Sequence, residues 1–320
     1  MKASSGTTAA TSGPGPAKRM TSSNLLSSSV LGSTELPLKD KVTLLRYAVK
    51  RGDDQQANSL MDHLRADEML ESAGFTTQDA AGNGLLQIAA LAGHTKVTEL
   101  LLEKGININS VDHNHGTALQ AAIYMGYGDV VHSLLSRGKP VNGLTPILES
   151  STTSRLNVNT KGGYYGCALQ VAAYRANSDL VLCLVNEYQA DVNISGGKYG
   201  FPLQAAVRSG QLAVVDLIIS KSTVKINATG GVYGSALQAV AKGPYRSRQR
   251  LREISRGHVL RQDAQDSNGN WVPLHSNASD ADYLKVAESL FDKGVKMNGG
   301  SGRYDNPINV CISSSLILFI

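Results

Sequence analysis

The chain has 320 residues, 42% hydrophobic and 18% charged, with a formal net charge of +5. That is enough apolar material for one long or two compact folded units, and too little excess charge to require a nucleic-acid partner. Aromatics at 5% beside 32 glycines disfavour an aromatic-rich sandwich core and favour many small units punctuated by turns.

Three cysteines, Cys167, Cys183 and Cys311, cannot form a disulfide framework, and no two stand at zinc-ligand spacing. A reducing compartment, cytoplasmic or nuclear, fits this usage. No apolar run approaches the roughly 20 residues that span a bilayer, so no membrane association is expected. Residues 1–38 contain fourteen Ser or Thr and few large apolar groups, too little to offset the entropy of ordering a backbone, and read as a disordered leader without a hydrophobic signal. Residues 39–80 read as an atypical first repeat and linker. There Leu45-Arg46-Tyr47-Ala48-Val49-Lys50-Arg51-Gly52 forms a helix and turn, and Ala57, Leu60, Met61 and Leu64 form a second apolar stripe.

From 81 to 243 a fixed pattern takes over. An Asn is followed eleven residues later by a Gln at Asn109 and Gln120, Asn159 and Gln170, Asn193 and Gln204, and Asn227 and Gln238. Around each Gln the text repeats, as in Ala118-Leu119-Gln120-Ala121-Ala122 and Pro202-Leu203-Gln204-Ala205-Ala206, and Leu86-Gln87-Ile88-Ala89-Ala90 belongs with them. The Gln residues are 33, 50, 34 and 34 apart, a period that signals stacked supersecondary units, with an insertion placed at 143–158. Downstream apolar groups at i, i+1, i+4 and i+5, such as Val130, Val131, Leu134 and Leu135, make one stripe on a second short helix. Helices this short cannot bury their faces alone, so neighbouring units must share one core.

At Pro244 the unit stops after its first helix, and residues 244–280 read as an insertion. Its first eighteen residues, 244–261, carry Arg246, Arg248, Arg250, Arg252, Arg256 and Arg261 against the single acid Glu253. The second helix resumes near Tyr283, where Val286, Ala287, Leu290 and Phe291 repeat the stripe. Residues 281–312 thus continue the repeats and start a truncated one, and 313–320 form an apolar tail. A stack left open at that end is expected to be monomeric unless the end self-associates.

These units resemble ankyrin repeats. The family's Thr-Pro-Leu-His stretch stands here as Thr117-Ala118-Leu119-Gln120, Cys167-Ala168-Leu169-Gln170 and Phe201-Pro202-Leu203-Gln204. Its Gly-Ala-Asp-Val-Asn closing segment stands as Gly105-Ile106-Asn107-Ile108-Asn109 and Ala190-Asp191-Val192-Asn193. Gln replaces the family's His throughout, and the Gly-Gly-x-Tyr-Gly lead-ins are similar to those of repeats in large fungal proteins. The resemblance implies an all-α helical solenoid of about five to six helix-turn-helix units.

Catalytic chemistry finds no footing in this pattern. The lead-ins Gly162-Gly163-Tyr164-Tyr165-Gly166, Gly196-Gly197-Lys198-Tyr199-Gly200 and Gly230-Gly231-Val232-Tyr233-Gly234 offer N–H groups that suit a phosphate, but three copies in register read as a structural turn. Asp112-His113-Asn114-His115 reads as a solvated tip rather than a metal pair. Cys167 and Cys183 fall on core positions, as small hydrophobes. No catalytic residue, cofactor or metal site is expected.

The function implied by the resemblance is binding: a non-catalytic scaffold or adaptor that takes a protein partner, acidic or extended, on the concave face formed by tips and first helices. The candidate contact residues are His113, Tyr124, Met125, Tyr164, Tyr174, Arg175, Lys198 and Arg208. They join aromatic anchors to basic groups, as interface hot spots do. Two alternatives are a regulatory or sensor fragment of a larger multidomain signalling protein, and a nucleic-acid-associated adaptor using Arg246, Arg248, Arg250 and Arg252 as an anion-binding site.

Overall fold

The computed structural model describes residues 38–66, 84–137, 155–241 and 278–296. The expected leader before Leu38, the arginine-rich stretch with Arg246, Arg248, Arg250 and Arg252, Cys311 and the apolar tail lie outside them. Among the described residues the regular elements are helices, arranged in pairs. They are α1 (Leu38–Arg51) with α2 (Asp54–Ala66), α3 (Leu85–Ala92) with α4 (Thr95–Glu103), and α5 (Ala118–Met125) with α6 (Gly128–Ser136). Then come α7 (Ala168–Tyr174) with α8 (Ser178–Asn186), α9 (Pro202–Ser209) with α10 (Leu212–Ile219), and α11 (236–241) with α12 (Asp280–Asp292). Leu38 is the first residue of α1 rather than the last of a leader.

First helices pack on first helices, α1 on α3, α3 on α5, α5 on α7 and α7 on α9. Second helices do the same from α2 to α4 to α6 and from α8 to α10 to α12. The physical reason lies in the Ala pairs at the centre of each first helix. Ala89 with Ala90, Ala121 with Ala122, Ala172 with Ala173 and Ala205 with Ala206 are wholly buried, and side chains this small let adjacent backbones close up while keeping strong helix propensity. The stripes of the second helices complete one continuous apolar core, with Val97, Leu101, Val130, Leu134, Val181, Leu184, Val214 and Ile218 buried in it. Each first helix is short because its end is fixed. Gly126, at φ 85°, closes α5 while its N–H donates to the carbonyls of Ala122 and Ile123, a left-handed cap that a Cβ disfavours.

Two columns of polar side chains tie each unit to the next, and they explain the eleven-residue spacing. Gln120 Nε2 donates to the carbonyl oxygens of Thr160 and Gly166, both at 3.1 Å, and Gln204 Nε2 to those of Ala228 at 2.9 Å and Gly234 at 3.1 Å. Gln87 reaches Ser110 O at 2.8 Å and Gln170 reaches Gly196 O at 2.9 Å in the same way. Asn109 Oδ1 accepts from Asn157 N, Asn159 Oδ1 from Asp191 N, and Asn193 Oδ1 from Lys225 N, at 2.7, 2.9 and 2.7 Å. Replacing Gln204 by Met is therefore expected to leave the Ala228 carbonyl without its Gln204 donor and Gly234 O with one donor fewer, and to cost about 1–3 kcal/mol in a urea melt.

The same columns identify α12. Asn227 Oδ1 accepts from Lys296 N at 2.7 Å, continuing the Asn column. Tyr283 Oη donates to Arg208 O at 3.0 Å, as the His94 ring meets Lys50 O at 3.1 Å four units earlier. Helix α12 thus occupies the second-helix place of the unit that α11 opens, although 38 intervening positions separate them in the chain.

Three expectations are corrected. Leu156, Asn157 and Val158, assigned to the insertion at 143–158, stand in the closing loop: Leu156 and Val158 are buried and Asn157 is bonded to Asn109. Cys183 is half-buried rather than in the core, because Val181 and Leu184 take the inward positions of α8. The tip at 112–115 is not solvated throughout. Asp112 is buried, and its Oδ1 accepts from His115 N and from Gly116 N, which closes the turn, while His113 and Asn114 are exposed.

Candidate binding face: a tyrosine ladder edged by basic groups

Each Gly-Gly-x-Tyr-Gly lead-in folds into a tight tip closed by a backbone bridge. Gly162 N donates to Gly166 O at 2.7 Å, and Gly196 N and Gly230 N donate to Gly200 O and Gly234 O at 2.8 Å. The tips then interlock. Tyr164 N donates to Asn114 O, Lys198 N to Tyr164 O and Val232 N to Lys198 O, at 2.9, 2.8 and 2.8 Å. The backbone donors that a phosphate would require at these three positions are spent on the neighbouring tip, so the lead-ins serve as structural turns.

Fixing the tips places one tyrosine per unit at the same height. Tyr165, Tyr199 and Tyr233 stack in file, with ring centroids 6.1 and 5.9 Å apart and planes 22° and 9° from parallel. From the first helices Tyr124 stacks on Tyr165 at 5.0 Å, and Tyr174 lies 5.4 Å from Tyr165 and 4.7 Å from Tyr199. Tyr164 meets Tyr165 edge-on at 4.9 Å. Offset and edge-to-face contacts of this kind add to what burial alone gives.

Three cations sit on the ladder. The guanidinium of Arg175 lies 5.9 Å from the Tyr124 ring centre, Lys198 Nζ 4.5 Å from Tyr164, and the Arg208 guanidinium 5.1 Å from Tyr233, in the range of cation–π attraction. Burial pulls Arg175 below its ordinary pKa and pushes the phenols of Tyr165 and Tyr199 far above theirs. Burial also pushes the Cys167 thiol up to about 12, so that side chain stays protonated and unreactive at neutral pH.

The tyrosine shifts have a consequence with a definite sign. A phenol whose folded pKa lies above the unfolded value of about 10 gives stability that is fully present below pH 10 and lost as pH rises beyond it. Melting temperature is expected to hold level on the neutral side and to fall steeply above about pH 10. Phenolate absorbance from Tyr165 and Tyr199 should appear only with unfolding.

The candidate contact residues fall into two groups. Tyr164, Tyr174, Arg175, Lys198 and Met125 are half-buried, and His113 is exposed at its tip. Tyr124 and Arg208 are 6% and 5% exposed, which corrects the expectation that they present open contact area: the former is covered by Tyr165 and the latter is enclosed by tyrosines. Tyr165, Tyr199 and Tyr233, which stand in the sequence within the turn motif, carry the ladder. The signal for them was a tyrosine recurring at the fourth position of every lead-in. Among the described residues no cluster of His, Cys, Asp or Glu suits a metal ion, and no helix is long and apolar enough to cross a membrane.

Residues 45–145 match the family model described as ankyrin repeats, in three copies. The chain is also similar to the ankyrin repeat and SAM domain-containing protein 6 of Mus musculus, 34% identical over 96 residues, which is 30% of this chain and 10% of that protein. It therefore spans about a tenth of the length of that curated relative. Among solved structures, it is similar to the crystal structure of the ankyrin repeat domain of Bcl-3, described as a unique member of the IkappaB protein family. The TM-score is 0.50 at 18% identity, covering 83% of this chain and 92% of that one.

Proposed function

We propose that this chain, whose residues 45–145 match ankyrin repeats, is a non-catalytic scaffold or adaptor that holds a protein partner against the ladder face. Ankyrin repeat domains generally mediate protein–protein interactions, and the partner envisaged here is an acidic or extended segment. The observation that carries this reading is the run of half-buried Tyr164, Tyr174, Arg175 and Lys198 along two adjacent units. Their rings are already ordered by stacking, so they lose little further entropy on binding, and their cations supply complementary charge. Met125, half-buried at the first-helix end of the preceding unit, extends the strip with an adaptable side chain.

Replacing Tyr174 and Arg175 together by Ala is expected to weaken partner capture by more than about 2 kcal/mol, the hot-spot scale. That is about thirtyfold in affinity. Glu103→Ala, at an exposed position on the second helix α4, should leave capture unchanged. Quantitative pull-down of the full chain and both variants reads this directly. Capture that survives the double substitution contradicts the reading. The cytoplasm or nucleus is the proposed location, in keeping with the free thiols of Cys167 and Cys183.

A further inference from the structure

We propose that Arg208 is a buried socket for one carboxylate of the partner, an inference that rests on the ladder-face reading and adds to it the group that the partner must insert. Arg208 is 5% exposed, yet its Nε and Nη1 have no hydrogen-bond partner among the described residues. No ion pair between Arg208 and a carboxylate is seen among the described residues, in contrast to Lys104, which pairs with Asp62. A guanidinium is always charged, and leaving its donors unmet in a buried place is costly unless an anion completes them.

The surroundings supply shape without supplying that anion. Tyr174, Tyr199, Tyr233 and Tyr283 stand around the guanidinium. Tyr283 Oη is already spent on the carbonyl oxygen of Arg208 itself, at 3.0 Å, and the Tyr233 face takes the cation at 5.1 Å. Nor does the repeat demand an arginine. The equivalent first-helix position holds Lys50, Leu91, Tyr124, Tyr174 and Lys242 in the other units, so the repeat pattern accepts aliphatic and aromatic side chains there as well as basic ones. Tyr174 is half-buried and so the most exposed of the four tyrosines around the guanidinium, and Arg175 and Lys198, which lie on the tyrosine ladder, add positive field. Planar, forked donors in an aromatic enclosure suit a carboxylate bound in bidentate fashion.

The test uses the full chain and a fluorescently labelled hexaglutamate peptide, followed by anisotropy beside thermal melts. Arg208→Met is expected to lower affinity by about tenfold or more while melting no lower than the parent, because it removes an uncompensated buried charge and keeps the volume. Arg208→Lys, which keeps the charge but loses the fork, should fall between the two. An Arg208→Met protein that melts well below the parent overturns the socket and makes the residue structural. Inorganic phosphate that displaces the peptide and raises the melt of the parent alone overturns the peptide assignment in favour of a free oxyanion. Full affinity in Arg208→Met with loss in the Tyr174 and Arg175 double variant overturns the socket and spares the ladder face. Full affinity in both overturns the two together.

Discussion

Leu134→Asp is expected to abolish the cooperative melt of its own unit and of both neighbours. Leu134 is 0% exposed in the C-terminal half of α6, and the core around it is shared with both neighbours, because α6 packs on α4 and on α5, which itself packs on α3 and α7. A carboxylate placed there meets no partner and must either stay charged in an apolar site or be protonated, at a cost above about 4 kcal/mol. Total stability of a domain is only about 5–15 kcal/mol, and in a solenoid the loss spreads through nearest-neighbour interfaces. Far-UV dichroism should show a large drop in helix content at temperatures where the parent is folded. His132→Asp, on the exposed side of the same helix, should change the melt by less than about 0.5 kcal/mol.

Gly200→Ala should cost nearly as much, through a different mechanism. Gly200 sits at φ +85°, and a Cβ there would lie 2.4 Å from the carbonyl carbon of Gly230 and 2.6 Å from its oxygen. The obstacle is backbone of the next tip, with no side chain able to swing aside, so the two tips must part. Separation would break the Lys198 to Val232 bond and lift Tyr199 from Tyr233. Together with the left-handed strain this is expected to cost about 3 kcal/mol or more. Gly128→Ala is the matched control. Nothing lies within 4 Å of its Cβ position and it opens helix α6, so the change should be neutral or stabilising by about 0.5 kcal/mol. Equal urea midpoints for the two variants would mean that the tips do not interlock as described.

The helical pairs were legible because their signals are local. Apolar residues at i, i+1, i+4 and i+5 and glycine at the helix ends locate α3 to α10, and Val286, Ala287, Leu290 and Phe291 locate α12 beyond the inserted stretch. The Asn–Gln spacing was visible as a count, but its meaning was not, since hydrogen bonds such as Gln120 to Gly166 and Asn193 to Lys225 cross between units. The binding face was legible in outline only. Equivalent positions on successive first helices place Tyr124, Tyr174 and Arg208 in one row, but register alone does not reveal which of them the lead-in tyrosines cover. Tyr165 buries Tyr124, and Tyr199 and Tyr233 enclose Arg208, so the accessible strip consists of Tyr164, Tyr174, Arg175 and Lys198.

The most direct test of the ladder as the binding face is a nuclear magnetic resonance titration of the isotope-labelled full chain with the hexaglutamate peptide, observing amides, tyrosine rings and arginine Nε together. The account predicts saturable shifts centred on Tyr164, Tyr174, Arg175, Lys198 and the Arg208 side chain, with α4, α6, α8 and α10 unaffected. Shifts centred on those second helices, or none at saturating peptide, would contradict it.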